Sequence, residues 1–291
     1  MLIRRRDDRL LLFQQVDHGT LTGEFVDLWG NERFAAPEPL EPLRIAATYH
    51  DEGWRLRDDA LPFNAEEGRP ASFSEIEMED HIPLYQRGVD AVFERDIYAG
   101  LIVSMHWTGL YRGRWGLQPM RIQWGEERTP IEQIQDDAII AQEQRWIGVK
   151  RELTNGVFRS EFEINAWHNY DLMQAFDLLS IFACMNDLTP VPADAEPELL
   201  GMTLRSIDQA PGARRIPNVA ARAGGERVDL ILRAVEPGVA TVDPYPFKDD
   251  AVDLSVAATT IPDKRYANGD EARAAVEAGE RVTVSCRLVR P

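Results

Sequence analysis

One segment decides what this chain can fold into. Residues 165–185 place Leu172, Met173, Phe176, Leu179, Phe182 and Ala183 at spacings of three and four, the period of an α-helix. Apolar side chains continue around the rest of the turn, so this helix has little to offer water and belongs at the centre of a packed assembly. In the middle of it, within Gln174-Ala-Phe-Asp-Leu-Leu-Ser, stands Asp177. A carboxylate in such a setting has to be paired, protonated or metal-bound, a buried Arg being the plain alternative to a metal. Asp171 lies nearer the helix start, where the helix dipole favours an acid. His168, nine residues before Asp177, falls roughly on the opposite side at about 100° per residue.

Around that helix the first part of the chain reads as mostly helical. Helices are expected over residues 17–29, 42–49, 84–95, 99–106 and 131–150. Residues 57–80 contain Pro62, Asn64, Gly68 and Pro70 and read as a long loop, a kind that tends to carry function. All five His and all seven Trp lie at or before Trp167-His168. From residue 191 onward the pattern changes to β-branched runs at 228–232, 239–242, 252–257 and 282–289, set apart by Gly, Pro and Asp, with a short helix at 271–279. Thr189-Pro-Val-Pro cannot continue a helix. The expectation is therefore an α+β chain: a mainly α-helical bundle over residues 1–190 and a small β-rich C-terminal domain over 191–291. A strand at residues 10–13 would join the C-terminal sheet. The aromatic turn Asp243-Pro-Tyr-Pro-Phe247 reads as packing.

Charge and cysteine content narrow the partners. With 32 basic against 49 acidic residues the net charge is −17, which repels a phosphate backbone and argues against nucleic acid. A small anionic substrate remains compatible, because a metal or a few Arg side chains reverse the field locally. Only Cys184 and Cys286 are present, too few for a disulfide framework. No run of about 18 apolar residues suggests a membrane span, and residues 10–13 are too short for the core of an export signal. A cytoplasmic protein without a membrane partner is expected, with a homodimer left open.

Four of the five His stand in settings that suit a metal. His18 lies in Gln15-Val-Asp-His-Gly at the start of the first helix, and His50-Asp51 ends the apolar helix of Ala46-Ala-Thr-Tyr-His-Asp-Glu-Gly-Trp. His81 follows the long loop, and His106 ends Leu101-Ile-Val-Ser-Met-His. Each is at a helix end or beside an apolar face, where one ion can be gripped by several helices. Imidazole and carboxylate suit divalent Mn, Fe, Co, Ni or Zn, and no Cys lies close enough in sequence to suggest a thiolate site. A single helix-end His is more commonly a capping or surface residue. The adjacent His50-Asp51 pair is harder to explain that way, because a carboxylate beside an apolar helix end needs compensation.

The order His18, His50-Asp51, Asp177 in a helical setting resembles the HD-domain superfamily of metal-dependent phosphohydrolases. The wider frame is similar to DUF3891, an uncharacterised bacterial family, through Gln15-Val-Asp-His-Gly, Leu28-Trp-Gly-Asn, His50-Asp-Glu-Gly-Trp54, Gly68-Arg-Pro with Phe73, Ser104-Met-His106, and Asp177-Leu-Leu-Ser with Cys184. The HD resemblance implies an HD-like bundle in which His18, His50, Asp51 and Asp177 hold a metal. It further implies that His81 and His106 take the place of two more His in binuclear members, with Asp51 bridging the ions and Asp51, His81 and His106 at the catalytic position. One or two ions of Fe, Mn, Ni, Zn or Mg are implied. The Gly-Tyr-Pro tripeptide and the His-His pair of the cyclic-dinucleotide phosphodiesterases are missing.

Three functions follow as expectations. The first is hydrolysis of a small phosphate ester by metal-activated water, with Arg112, Arg114 and Lys150 as the cations available to bind its oxygens. Individually, each of these cations also fits a solvated surface role. Asp17 and Gln15 would orient His18, and Ser104 would do the same near His106. The second is an HD-type mixed-valence diiron oxygenase, similar to myo-inositol oxygenase, acting on a small alcohol or phosphonate. The third is a non-catalytic binding module that retains a closed metal site.

Overall fold

The computed structural model describes residues 1–116, 130–155, 158–200, 207 and 212–291. The chain opens with a hairpin, β1 (Leu2–Arg6) and β2 (Arg9–Phe13), whose turn holds Asp7 at φ 53°. Short acidic side chains tolerate that left-handed conformation. Helix α1 (Gln15–Leu28) follows at once, its Gln15 N–H capped by the Asp58 carboxylate at 2.7 Å rather than by its own flanking residue. After α2 (Leu40–Tyr49) and a 3-10 turn at Glu52–Trp54 comes α3 (Arg55–Ala60).

The long loop expected at 57–80 is built more tightly than its composition suggests. It contains a two-stranded hairpin, β3 (Phe63–Asn64) with β4 (Arg69–Pro70), and a 3-10 turn at Phe73–Glu75. Glu75 ties it together by accepting from Ser72 N–H (2.6 Å), Asn64 (2.8 Å) and both ends of the Arg69 guanidinium. Then come α4 (Met78–Phe93), α5 (Ile97–Tyr111), a 3-10 turn at Gly113–Gly116, α6 (Pro130–Leu153) and α7 (Arg159–Met185). The remainder runs β5 (Glu198–Leu199), β6 (Arg214–Ala220), β7 (Arg227–Glu236), β8 (Val239–Asp243), β9 (Ala251–Pro262), α8 (Gly269–Glu277) and β10 (Glu280–Val289).

The expected architecture, a mainly helical HD-like bundle with a small appended β domain, is not the one observed. About 49% of the described residues are helical and 23% are in strands, and the strands build one large sheet. Its eight strands run in the order β1-β2-β9-β10-β8-β7-β6-β5. Neighbours are antiparallel except β10 with β8 and β5 with β6. The N-terminal hairpin extends the sheet past β9, with Leu10 opposite Ile261 and Leu12 opposite Thr259. Both ends of the chain thus build one sheet, and α1 and α7 pack against it.

The apolar run at 10–13 has a clear cause. Leu11 and Phe13 enter the main core with Leu2, whereas Leu10 and Leu12 face the other way and pack with Ile3, Ile261, Tyr266 and Ala272 of α8. A strand covered on both faces loses the alternation that marks a half-exposed one. Further along the sheet the alternation returns: Val252, Leu254, Val256 and Ala258 of β9 are buried, and Asp253 and Ser255 are exposed.

Helix α7 lies between the sheet and the other helices, touching α1, α2 and α5 on one side and β1, β6 and β10 on the other. Nearly every residue of its second half is buried. Helix α5 is apolar all round for the same reason. Phe247, from the aromatic turn, packs its ring on Phe25 and Trp29 and so fixes α1 to the sheet. No helix among the described residues is long and apolar enough to cross a membrane.

Candidate metal centre

Three helices converge on one buried point. His18 is in the second turn of α1, His50 caps the C-terminus of α2, and Asp177 is in the middle of α7. Asp51, at φ −106° and ψ 20°, makes the bend that leads from α2 into the next turn, a backbone region often used at functional sites. All four are nearly inaccessible, at 1%, 1%, 4% and 5% for His18, His50, Asp51 and Asp177.

The close approach of α1 and α2 depends on glycine. A Cβ at Gly19 would lie 2.6 Å from the Thr48 carbonyl oxygen, and one at Gly23 would lie 2.1 Å from Thr48 Oγ1. Backbone cannot yield as a flexible side chain can, so Gly19→Ala is expected to push α2 outward. We expect a loss of about 1–3 kcal/mol, as for other overpacked cores, with weakened retention of any ion held by His18 and His50. Equilibrium denaturation and metal titration of the variant check this, and unchanged stability would show that the two helices can shift freely.

The ligand atoms lie at distances that suit a metal. His18, His50 and Asp51 form a buried group whose ligand atoms are all within 4.8 Å of one another, and it can hold a metal ion. His18 Nε2 is 3.2 Å from Asp177 Oδ1 and 3.9 Å from Asp51 Oδ2. His50 Nε2 is 3.6 Å and 3.5 Å from the same two oxygens. Around an ion with bonds of about 2.0–2.1 Å in tetrahedral geometry, neighbouring ligand atoms stand about 3.3 Å apart.

A hydrogen bond from behind fixes which nitrogen of His50 is free. The Ala47 carbonyl, 2.8 Å from His50 Nδ1, can only accept, so that nitrogen carries the proton. His50 Nε2 is then a buried lone pair with no hydrogen-bond partner. Ser180 Oγ lies 2.8 Å from His18 Nδ1, from the Asp177 carbonyl and from Thr22 Oγ1, and on the other side of the ring His18 Nε2 lies 3.2 Å from Asp177 Oδ1. Two imidazoles, one of them with a bare buried nitrogen, thus face two carboxylates, an arrangement that calls for a cation between them.

In the absence of an ion a proton takes that place. Burial pushes the His50 pKa down, but Asp51 and Asp177 together outweigh it and raise it to about 9. Burial pushes Asp177 up, yet the His18 and His50 rings beside it hold it well below the usual carboxylate range. Asp51 is raised, by burial first, although His50 and His18 oppose it. Gln15 Nε2 donates to Asp51 Oδ2 at 3.0 Å, and Tyr85 Oη lies 3.4 Å from Asp51 Oδ1.

The other predicted residues divide. His106 reaches the centre from α5, its Nε2 4.0 Å from Asp177 Oδ2, and burial lowers its pKa to about 3. Arg114 also reaches it, with Nη2 3.5 Å from the same oxygen. This Arg is only 8% exposed and sits at φ 48°, a backbone position that non-glycine residues adopt at a cost. His81 does not join the group. Its ring packs on Tyr85 and Trp54, its Nδ1 bonds Tyr111 Oη, and burial and Arg57 lower its pKa to about 4.

Arg112 pairs with Asp136 (3.4 Å) and Glu143 (3.9 Å) on the side of α6. Lys150 bonds Glu163 at 2.7 Å between the rings of Trp146 and Trp167, in a cleft of about 310 Å³ that shares no residue with the centre. Ser104 bonds Gln142 and Trp146 rather than His106, and Asp17 bonds Arg281.

Sequence reasoning missed Gln174, which bonds both His106 and Arg114. It missed Ser180 behind His18 as well. A signal existed: Asp171, Gln174, Asp177 and Ser180 recur every third residue through an otherwise apolar helix. Of these, Asp171 pairs with Arg227 at 2.5 Å and stays outside the centre.

Fold and centre together define an α+β protein with a buried His–Asp group shared by three helices. The chain belongs to the family described as protein of unknown function DUF3891, which matches residues 1–263. No curated protein and no solved structure gives a significant match.

Proposed function

We propose that the protein is a metal-dependent hydrolase that cleaves a small phosphate ester at the His18–His50–Asp51–Asp177 centre. The observation that carries this is a pair of imidazoles, His50 with a bare Nε2 set by Ala47 and His18 backed by Ser180, facing two buried carboxylates beside the Arg114 guanidinium. The order of these residues along the chain also resembles that of the HD-domain hydrolases, although the fold differs from the one that resemblance implied.

A divalent ion bound there would supply Lewis acidity, lowering the pKa of water and polarising a phosphoryl oxygen. The chain's own residues do the rest. Asp51 and Asp177 carry two negative charges and Arg114 one positive charge, so with a divalent ion and neutral imidazoles the centre is left with one net positive charge. That suits an anionic ester. Arg114 lies on the Oδ2 side of Asp177, opposite the oxygen that faces His18 and His50, where its guanidinium can donate to a phosphoryl oxygen. Hydrolysis puts the water oxygen on phosphorus, breaks the P–O ester bond, and returns the proton to the leaving alcohol. Gln15 and Tyr85 hold Asp51 in place meanwhile. A crevice with room for about one water, roughly 10 Å³, adjoins the centre through Arg114 and Gln174.

The test is metal analysis of protein prepared without chelator, followed by a panel of phosphomonoesters and phosphodiesters with Mn, Ni, Zn and Mg. About one bound ion per chain and ion-dependent phosphate release are expected. No retained ion after reconstitution would overturn the reading. So would two irons per chain with oxygen consumption, which would assign the centre to an oxygenase.

A further inference from the structure

Three groups in a row fix a proton at the centre. The Arg114 guanidinium has donors only, and its Nη1 donates to Gln174 Oε1. That bond orients the amide, because the oxygen must face the Arg and the NH₂ must face the other way. On that other side Gln174 Nε2 lies 2.7 Å from His106 Nδ1. An amide NH₂ can only donate, so His106 Nδ1 accepts and carries no proton. A neutral imidazole with a bare Nδ1 has its proton on Nε2, and Nε2 is the nitrogen that faces Asp177 Oδ2 across 4.0 Å. This is the reverse of His50, whose Nδ1 is the protonated nitrogen.

We infer that His106 is not a metal ligand but a neutral hydrogen-bond donor, its Nε2–H aimed at a phosphoryl oxygen of the substrate, and that Arg114 and Gln174 are positioning residues that set its tautomer. The donor role rests on the hydrolase reading above; the tautomer does not. A metal on His106 Nε2 would need a proton on Nδ1. Gln174 would then have to present its oxygen to His106 and its NH₂ to Arg114, bringing two donors into contact. The centre is therefore built for one ion, held by His18, His50, Asp51 and Asp177, with His106 Nε2–H and Arg114 Nη2–H as a pair of donors on the Oδ2 side of Asp177. Both stop short of a close bond to Oδ2, at 4.0 Å and 3.5 Å, which leaves them for an incoming oxygen.

The experiment is long-range ¹H–¹⁵N correlation of the histidine rings in the full chain, first metal-free and then with one equivalent of zinc. His106 is assigned by the signals lost in His106→Gln. The expected result is a bare Nδ1 and a protonated Nε2 for His106 in both states, with zinc bound at one per chain in wild type and in His106→Gln alike. Gln174→Glu keeps an acceptor for Arg114 but removes the donor to His106, so it should move the His106 proton onto Nδ1. Should that variant fail to fold, Arg114→Met frees the amide to turn and should give a mixture of the two tautomers. A His106 ring with protonated Nδ1 and zinc on Nε2 would overturn the inference, as would two zinc ions per chain falling to one in His106→Gln. A tautomer that neither variant moves would overturn the positioning roles. Failure of zinc to bind would sink the hydrolase reading and the donor role with it, while the metal-free spectra would still decide the tautomer.

Discussion

Asp177→Ala in chelator-treated protein is expected to cost about 3–5 kcal/mol of folding stability, the range seen when one partner of a buried charge cluster is removed. Asp177 faces His18 and His50 through Oδ1, and His106 and Arg114 through Oδ2. Its removal leaves the Arg114 guanidinium, which is only 8% exposed, without the carboxylate beside it. It also deprives His50 of one of the two charges that let it hold a proton. The cavity left in α7 adds a smaller contribution, which Asp177→Asn separates by keeping the shape while removing the charge. Urea unfolding of both variants measures the effect. A loss below about 1 kcal/mol in each would mean that the cluster contributes little, in the manner of an exposed ion pair.

His50→Ala should strip the protein of its bound ion and leave the far-ultraviolet helical signal nearly unchanged. His50 lies at the C-cap of α2, beyond the last full turn, so the helix does not depend on its side chain. The ion, by contrast, loses one of four ligands and the only one whose Nε2 is buried without a hydrogen-bond partner among the described residues. An ion that binds the folded chain alone, at a hundred times its dissociation constant, contributes about 2.7 kcal/mol. In a chain of this size that corresponds to a Tm difference of roughly 5 °C or somewhat more. Chelator should therefore lower the Tm of wild type by that amount and leave the Tm of His50→Ala where it was. Full ion content in the variant would show that the ion binds elsewhere.

Much of the centre was legible before the fold was known, because burial of a charge is a property of local sequence. Asp177 sits between Phe176 and Leu178 in a largely apolar segment, so something had to compensate it. His50-Asp51 at the end of an apolar helix carried the same message. His81 and His106 show where that kind of reasoning stops. Both stand near helix ends, and nothing in their neighbours distinguishes them. In the fold, Tyr85 lies between the His81 ring and Asp51, and Gln174 turns the His106 ring so that its protonated nitrogen faces inward. Among the cations, Arg112, Arg114 and Lys150 looked alike. Only Arg114, in a turn with a left-handed backbone, points into the protein.

By itself, then, the sequence determined that residues 165–185 form a central helix, that the carboxylate of Asp177 within it needs a counter-charge, and that imidazoles on earlier helices are candidates to share it. These are consequences of helical period and of the cost of burying charge, both of which act over a few residues. Tertiary structure alone decided the extent of the sheet, because Leu10 pairs with Ile261 across the whole chain and no local pattern encodes a partner so distant. It also decided which imidazoles meet. The direction of a side chain at a helix end follows from how closely α1 and α2 approach over Gly19 and Gly23, and that approach is set where α7 packs against both helices and the sheet against α1.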